Sequence, residues 1–418
     1  MAAGHSGHSS PTQPIRGEIT LERTRRGKYR AIGHAAIKNN LLAGVGYLEL
    51  SNAGDFAANV WNEIPVPRHA VILMAIGGPI ALLVSLVAVR DFYLSLRNVS
   101  VLYAERKTLQ SLPSPDAKTS AVLGVNTREL GSEGIDRMLM DLLLGFGSLL
   151  VGIGTIMAIW GADHRVFRTS NLFSGFLGNS FACLFGIINA CWSVYLVYRF
   201  QARSVACDAH VVVQTARPKL RRRFQRFQWH AVVNAVNGLV AGMAAMVTSR
   251  MWWGYVVLIP CVLVMIAGNL FWRMKLGYDR PAMANLLDGI LAGEKDTGND
   301  NGGDSVLVAL GSVEAARGRL QDLVETGSLD SVLSFIEEED MLEAFSVWIA
   351  ENWPDHRLFA ASDRVKISGE ALRSGSHYEQ TRMREESRQF LQKRAMILLE
   401  HRERYLLELV GEVVWRAE

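Results

Sequence analysis

Four cysteines in 418 residues leave no disulfide framework to build on. Cys183, Cys191 and Cys261 lie inside apolar runs, where a thiol is a small hydrophobe. Cys207 lies eight residues past Arg199, near an expected membrane exit, where acylation is the alternative to burial. No Cys/His cluster has metal-ligand spacing, and His5, His8 and His34 have none either. The chain contains no HExxH, no GxSxG and no P-loop, so no catalytic residue, cofactor or metal is expected. The opening MAAGHSGHSS has no apolar core, which argues against a signal peptide. No period-two alternation of any length is evident, so strands are not expected. The formal net charge of +3 is too balanced to argue for nucleic acid.

What the sequence does have is long apolar runs. Mean hydropathy is only +0.13, but the apolar residues are gathered into blocks. A run of about 20 apolar residues crosses the hydrocarbon core of a bilayer. Five such runs are expected as membrane spans, at 70–89, 142–162, 172–198, 231–249 and 251–272. Pro79 and Pro260 fall near the middle of the first and fifth, where each removes a helical hydrogen bond. No Asp, Glu, Lys, Arg or His falls in the centre of any of these runs, which lowers the expectation of a coupled transporter.

The expected architecture is therefore all-α, a polytopic membrane protein with five transmembrane helices and a C-terminal helical soluble domain. Residues 1–66 read as a tail, disordered at first and then forming a short helix against the membrane. A full crossing there is not expected, because Glu49 and Asp55 interrupt the apolar stretch. Residues 67–275 form the bundle, with 90–141 as a long loop between its first two spans. Residues 276–304, with GEKDTGNDNGGD at 293–304, read as a flexible acidic linker. Residues 305–418 form the soluble helices, with Ser328 as a cap and Pro354 as a stop. Glu337–Asp340 reads as a solvated helical surface.

Charge sets the orientation. The loop Arg199–Arg226 holds eight Lys/Arg, six of them in Arg217–Arg226. The loops 163–171 and between 249 and 251 hold two and one. The positive-inside rule then places the basic loop and the C-terminus in the cytosol, and five spans place the N-terminus outside. The cations Arg217, Lys219, Arg221, Arg222, Arg223 and Arg226 are candidates for anionic lipid headgroups, with Phe224, Phe227 and Trp229 interleaved at the interface.

The polar groups left within the spans are amides, at Asn179, Asn189, Asn234, Asn237 and Asn269. Two roles fit them: hydrogen-bonded glue between helices, or the lining of a polar path. Gly238 and Gly242 form a GxxxG that lets helices approach closely. The last helical stretch, 377–415, is apolar beyond one stripe and carries a coiled-coil or partner-binding expectation, by self-association or with another protein.

The stretch AANVWNEIPVPRHAVILMAIGGPIALL, Ala57–Leu83, with the RDFYLSLRN after it, resembles uncharacterised multi-span integral membrane proteins of filamentous fungi. That resemblance implies a membrane bundle and no activity. The leading functional expectation is a non-enzymatic scaffold presenting its soluble domain to partners. The alternative is a transporter or channel with an amide-lined path through spans three to five.

Overall fold

The structure, a computed structural model, describes residues 18–24, 27–32, 37, 47–61, 65–112, 117–210, 213–280, 303–360 and 363–417. Residues 281–302 of the linker expected at 276–304 and the first seventeen residues lie outside the described residues. The chain is predominantly helical and divides into two compact units.

The first unit contains the early strands and the region from Ala309 to Glu403. It corrects the all-α expectation. Strand β1, Glu18–Arg23, lies between β2, Tyr29–Ala31, and β3, Arg364–Ser368, in an antiparallel three-stranded sheet. In β1 the side chains of Ile19 and Leu21 point to the core while Thr20 and Glu22 point away, so the alternation exists over only a few residues. Ile19 faces Ile367 and Leu21 faces Val365. β1 pairs with nearby β2 as well as with β3, far along the chain, and strands this short leave no run of alternation long enough to announce them. The helices around the sheet follow expectation more closely. Ser328 caps Leu329–Glu338, and Leu342–Asn352 stops before Pro354. Phe345 and Phe390 meet at 5.2 Å between ring centroids in the core. The acidic run is only partly solvated, because Glu339 is buried and pairs with Arg402 at 3.0 Å and Arg319 at 3.0 Å.

The second unit spans Ile37–Asp279 and takes up Arg404–Glu418. It opens with the short helices α1, Tyr47–Asn52, and α2, Phe56–Val60. Then come α3 (Arg68–Gln110), α4 (Ala117–Gly131), α5 (Met140–Ala158), α6 (His164–Asn171), α7 (Asn179–Ala209), α8 (Arg217–Thr248) and α9 (Gly254–Phe271). Wide π-helical turns at Ser132–Leu139 and Leu172–Gly178 join α4 to α5 and α6 to α7. A third, Trp272–Leu276, extends α9. Five continuous helical segments, 68–110, 117–158, 164–209, 217–248 and 254–276, are long and apolar enough to cross a membrane.

Two expectations change here. The charged stretch 90–141 is not a loop: α3 runs on to Gln110, and α4 returns beside it. Its polar residues at 91, 95 and 98 keep helical spacing and turn inward, where their charges and hydrogen bonds are met by other helices. Residues 47–60, expected as a short helix against the membrane, pack in part against the long helices. Leu48 is buried with α5 and α9 side chains, and the Ser51 hydroxyl meets that of Ser148. Gly54 presses on Gly77 of α3, where a Cβ on Gly77 would sit 2.8 Å from the Gly54 oxygen. Its Asp55 carboxylate is matched there by protein groups.

The closest helix pair is α7 with α8, as the small residues suggest. A Cβ on Gly242 would lie 2.7 Å from the Cys183 Cα, and one on Gly186 would collide with the Gly238 carbonyl oxygen. Backbone cannot step aside as a flexible side chain can. Gly186→Ala is therefore expected to destabilise the protein by about 1–3 kcal/mol. The measurement is thermal unfolding of the purified chain in detergent. An unchanged melting temperature would show that the two helices are free to separate.

The helix Met396–Ala417 ends the stretch 377–415 that was expected to meet a partner. Every residue from Tyr405 to Val414 is buried within the chain itself. Phe224 fills the space beside Gly411, and Tyr278 packs on Tyr405 at 5.6 Å. A coiled-coil seam would leave the opposite face wet, and this stretch has no face left over for a partner.

A candidate polar site inside the helical bundle

The second unit contains a partly open cavity of about 70 Å³, room for several water-sized groups. Three of the five intramembrane amides reach it, one from each of α7, α8 and α9: Asn189, Asn234 and Asn269. Asn234 donates to the Asn189 Oδ1 at 3.2 Å. The Asn189 Nδ2 finds no acceptor although its residue is 0% exposed, and the Nδ2 of Asn269 has none either. An unmatched buried amide donor costs about 1–3 kcal/mol unless water or a ligand accepts from it.

The other two amides lie elsewhere. Asn237 donates to the Cys261 carbonyl at 3.1 Å and is helix-to-helix glue. Asn179 belongs to a cluster around Asp55, which is fully buried. Asp55 accepts from the Tyr255 hydroxyl at 2.7 Å, from Asn59 at 2.8 Å and from Asn179 at 3.4 Å. Three donors on one carboxylate explain how Asp55 can sit in the bundle.

The opposite wall of the cavity was hidden from sequence reasoning. The π-helical turn after α4 brings Glu133, Asp136 and Arg137 to it. Such turns widen a helix and recur at functional positions. Arg137 binds Asp91 at 2.6 Å and Glu133 at 2.8 Å. Glu133 also accepts from Ser95 at 2.9 Å and Asn98 at 3.3 Å. Asp136 accepts from the Trp192 indole at 3.2 Å. Hydropathy alone assigns these charges to a loop; the signal that could have found them is the helical spacing of Asp91, Ser95 and Asn98.

One end of the cavity is closed by Arg128 and Tyr278, and both bond Glu408 of the last helix. Arg128 reaches its two oxygens at 2.7 and 2.8 Å, and Arg223 adds a contact at 3.6 Å. Burial would raise the Glu408 carboxyl, but Arg128, Arg223 and Arg199 hold it below the ordinary carboxylate value. Glu412, one turn on, takes both Arg199 and Arg203.

This arrangement divides the six candidate lipid-binding cations. They lie on the first turns of α8, not in a loop. Arg223 is buried, donates to the Leu276 carbonyl at 3.2 Å and is closed to headgroups. Arg217 pairs with Asp208 at 2.8 Å, and Lys219 is half-buried. Arg221, Arg222 and Arg226 are exposed. Phe224 and Phe227 are not interfacial, because they pack on Phe200 in the interior, whereas Trp229 is exposed. Cys207 is 3% exposed, which closes it to acylation.

Among the described residues no group of His, Cys, Asp and Glu has the arrangement of a metal site. No family model matches the chain, and neither a curated protein nor a solved structure matches it, so the resemblance at Ala57–Leu83 contributes nothing further.

Proposed function

We propose that this chain is a multi-pass membrane protein whose helical bundle binds a small polar solute between α4, α7, α8 and α9, as a transporter does. The observation that carries this reading is the cavity with the unmatched, fully buried amide donor of Asn189 on its wall. Pure packing amides pair with one another or with backbone, as Asn237 does. Amides on three facing helices opposite carboxylates form the lining that a polar solute needs in hydrocarbon surroundings. The scaffold reading loses its strongest support, because residues 405–414 of the last helix are engaged within the chain.

We also infer the orientation. β1 and β3 pair in one sheet, so residues 18–31 and 364–368 share one side of the membrane. Five spans alone would separate them. The short helices α1 and α2, with Asp55 against Tyr255, belong to the sixth crossing that this pairing requires. Arg23, Arg25, Arg26, Lys28 and Arg30 then join the cytosolic cations, and the charge rule places both ends inside.

The test is a stability screen of the full chain in nanodiscs against amino acids, nucleosides, sugars and ammonium. A solute held in the cavity at a hundred times its Kd raises stability by about 2.7 kcal/mol. Asn189→Leu is expected to abolish that shift while leaving the unliganded protein folded. If no compound shifts the wild type, and Asn189→Leu melts below it, the amides are packing groups only.

A further inference from the structure

We propose that Asp55, Asn59, Asn171 and Asn179 hold a monovalent cation of sodium size, below the turn that joins α8 to α9. This site is separate from the solute cavity: Asn189 lies about 15 Å further along α7 than Asn179. The first observation is a charge without a counter-charge. Asp55 is 0% exposed, and its side-chain hydrogen bonds come from Tyr255, Asn59 and Asn179, all of them neutral. Among the described residues it makes no ion pair. Neutral donors satisfy the lone pairs of a carboxylate but leave its charge, and buried charges persist when they are paired or when they hold a metal ion.

The second observation is a pair of acceptor oxygens that receive no hydrogen bond. Oδ1 of Asn171 and Oδ1 of Asn179 are both buried and without a donor, and Asn179 as a whole is 1% exposed. The two residues flank the π-helical turn Leu172–Gly178, and such turns recur at functional positions. Gly175 in that turn ties them to Asp55. A Cβ on Gly175 would lie 2.7 Å from the Asn171 Oδ1 and 3.7 Å from the Asn59 Oδ1. The Gly175 carbonyl accepts from the Asn179 amide at 3.1 Å, and the same amide nitrogen reaches Asp55 at 3.4 Å. Asn59 spends its amide nitrogen on Asp55 and Tyr255, each at 2.8 Å, so its Oδ1 is left to accept. Orphaned acceptors beside an uncompensated carboxylate are the complement of a hard cation, which takes several oxygens at once. A proton answers the charge but bridges only two oxygens. A water molecule donates to both orphans and answers no charge. One carboxylate balances one unit of charge, which makes the ion monovalent, and the close packing around Gly175 makes it small. Asp55 also sits at the break between α1 and α2, and interrupted helices at membrane depth are where transporters hold their ions. The site adjoins the end of the bundle: Thr248 closes α8, and a Cβ on Gly175 would lie 3.1 Å from that of Ser249 in the turn.

The experiment measures binding of radioactive sodium to the full chain in detergent, with choline chloride holding the ionic strength constant. Saturable binding of one ion per chain is expected, displaced by unlabelled sodium more readily than by potassium. Asp55→Asn keeps the shape of the side chain and removes its charge, and should lose the saturable binding. Asn171→Ala removes one oxygen at a half-buried position and should weaken binding by about tenfold. Glu338→Gln, on the surface of the other unit, should bind as the wild type does. Gel filtration establishes which variants are monodisperse, and Asn171→Ala decides alone if Asp55→Asn is not. A wild type without saturable binding overturns the proposal, as does undiminished binding in the deciding variant. Equal displacement by potassium overturns the assignment to an ion of sodium size. No solute is present in this measurement, so a failed solute screen and a failed cation site are distinguishable.

Discussion

Tags placed at the N-terminus and at the C-terminus are both expected to survive protease in sealed, right-side-out vesicles. Both should be cut once detergent opens the membrane. The effect is all or none, because a strand cannot pair across a bilayer. β1 exchanges backbone hydrogen bonds with β3 over five residue pairs, from Glu18 with Ser368 to Glu22 with Arg364. Chain parity with five spans alone predicts the opposite result, an N-terminal tag cut and a C-terminal tag spared. Protection of only one tag would remove the sixth crossing and return residues 47–60 to a position outside the bundle.

Glu408→Gln is expected to be the most damaging single change to stability. It leaves Arg128 and Arg223 buried with no carboxylate between them, and breaking one partner of a buried ion pair typically costs about 3–5 kcal/mol. Glu338→Gln is the contrast. Glu338 and its partner Arg319 are both about half exposed, and such surface pairs contribute roughly 0–1 kcal/mol. Thermal unfolding of both variants in the same detergent decides the matter, and equal melting temperatures would show that Glu408 holds nothing. The acid limb carries the same signature. The folded Glu408 carboxyl is held below its ordinary value of 4.5, so its contribution is fully present above that pH. It is lost as the pH falls through the lower folded value, when the proton displaces Arg128. Glu408→Gln should therefore flatten the acid end of the stability curve as well as lower it.

Much of the bundle was legible in the sequence. Apolar runs long enough to cross hydrocarbon must be helical there, since no water is present to satisfy the backbone. Gly238 and Gly242 of α8 announced a close helix approach, and three of the five amides did converge on one cavity. The charged wall of that cavity was not legible. Glu133, Asp136 and Arg137 are polar by any local measure, and a window of hydropathy cannot see that Asp91 lies 46 residues away to neutralise Arg137. Asp55 was read as a reason to keep its segment out of the bundle, because an insertion cost assumes an unmatched carboxylate. Tyr255, Asn59 and Asn179 supply the match.

By itself, then, the sequence determined the helices, their number and where the cations cluster, because those depend on composition over a single turn or a single span. The tertiary structure decided what faces inward. β1 finds its second neighbour, β3, far along the chain, and the last helix is spent on the chain's own Arg128, Arg199 and Arg203. The physical reason is the same each time. A buried polar group is tolerated according to its partner, and the partner is set by packing between segments far apart in the chain.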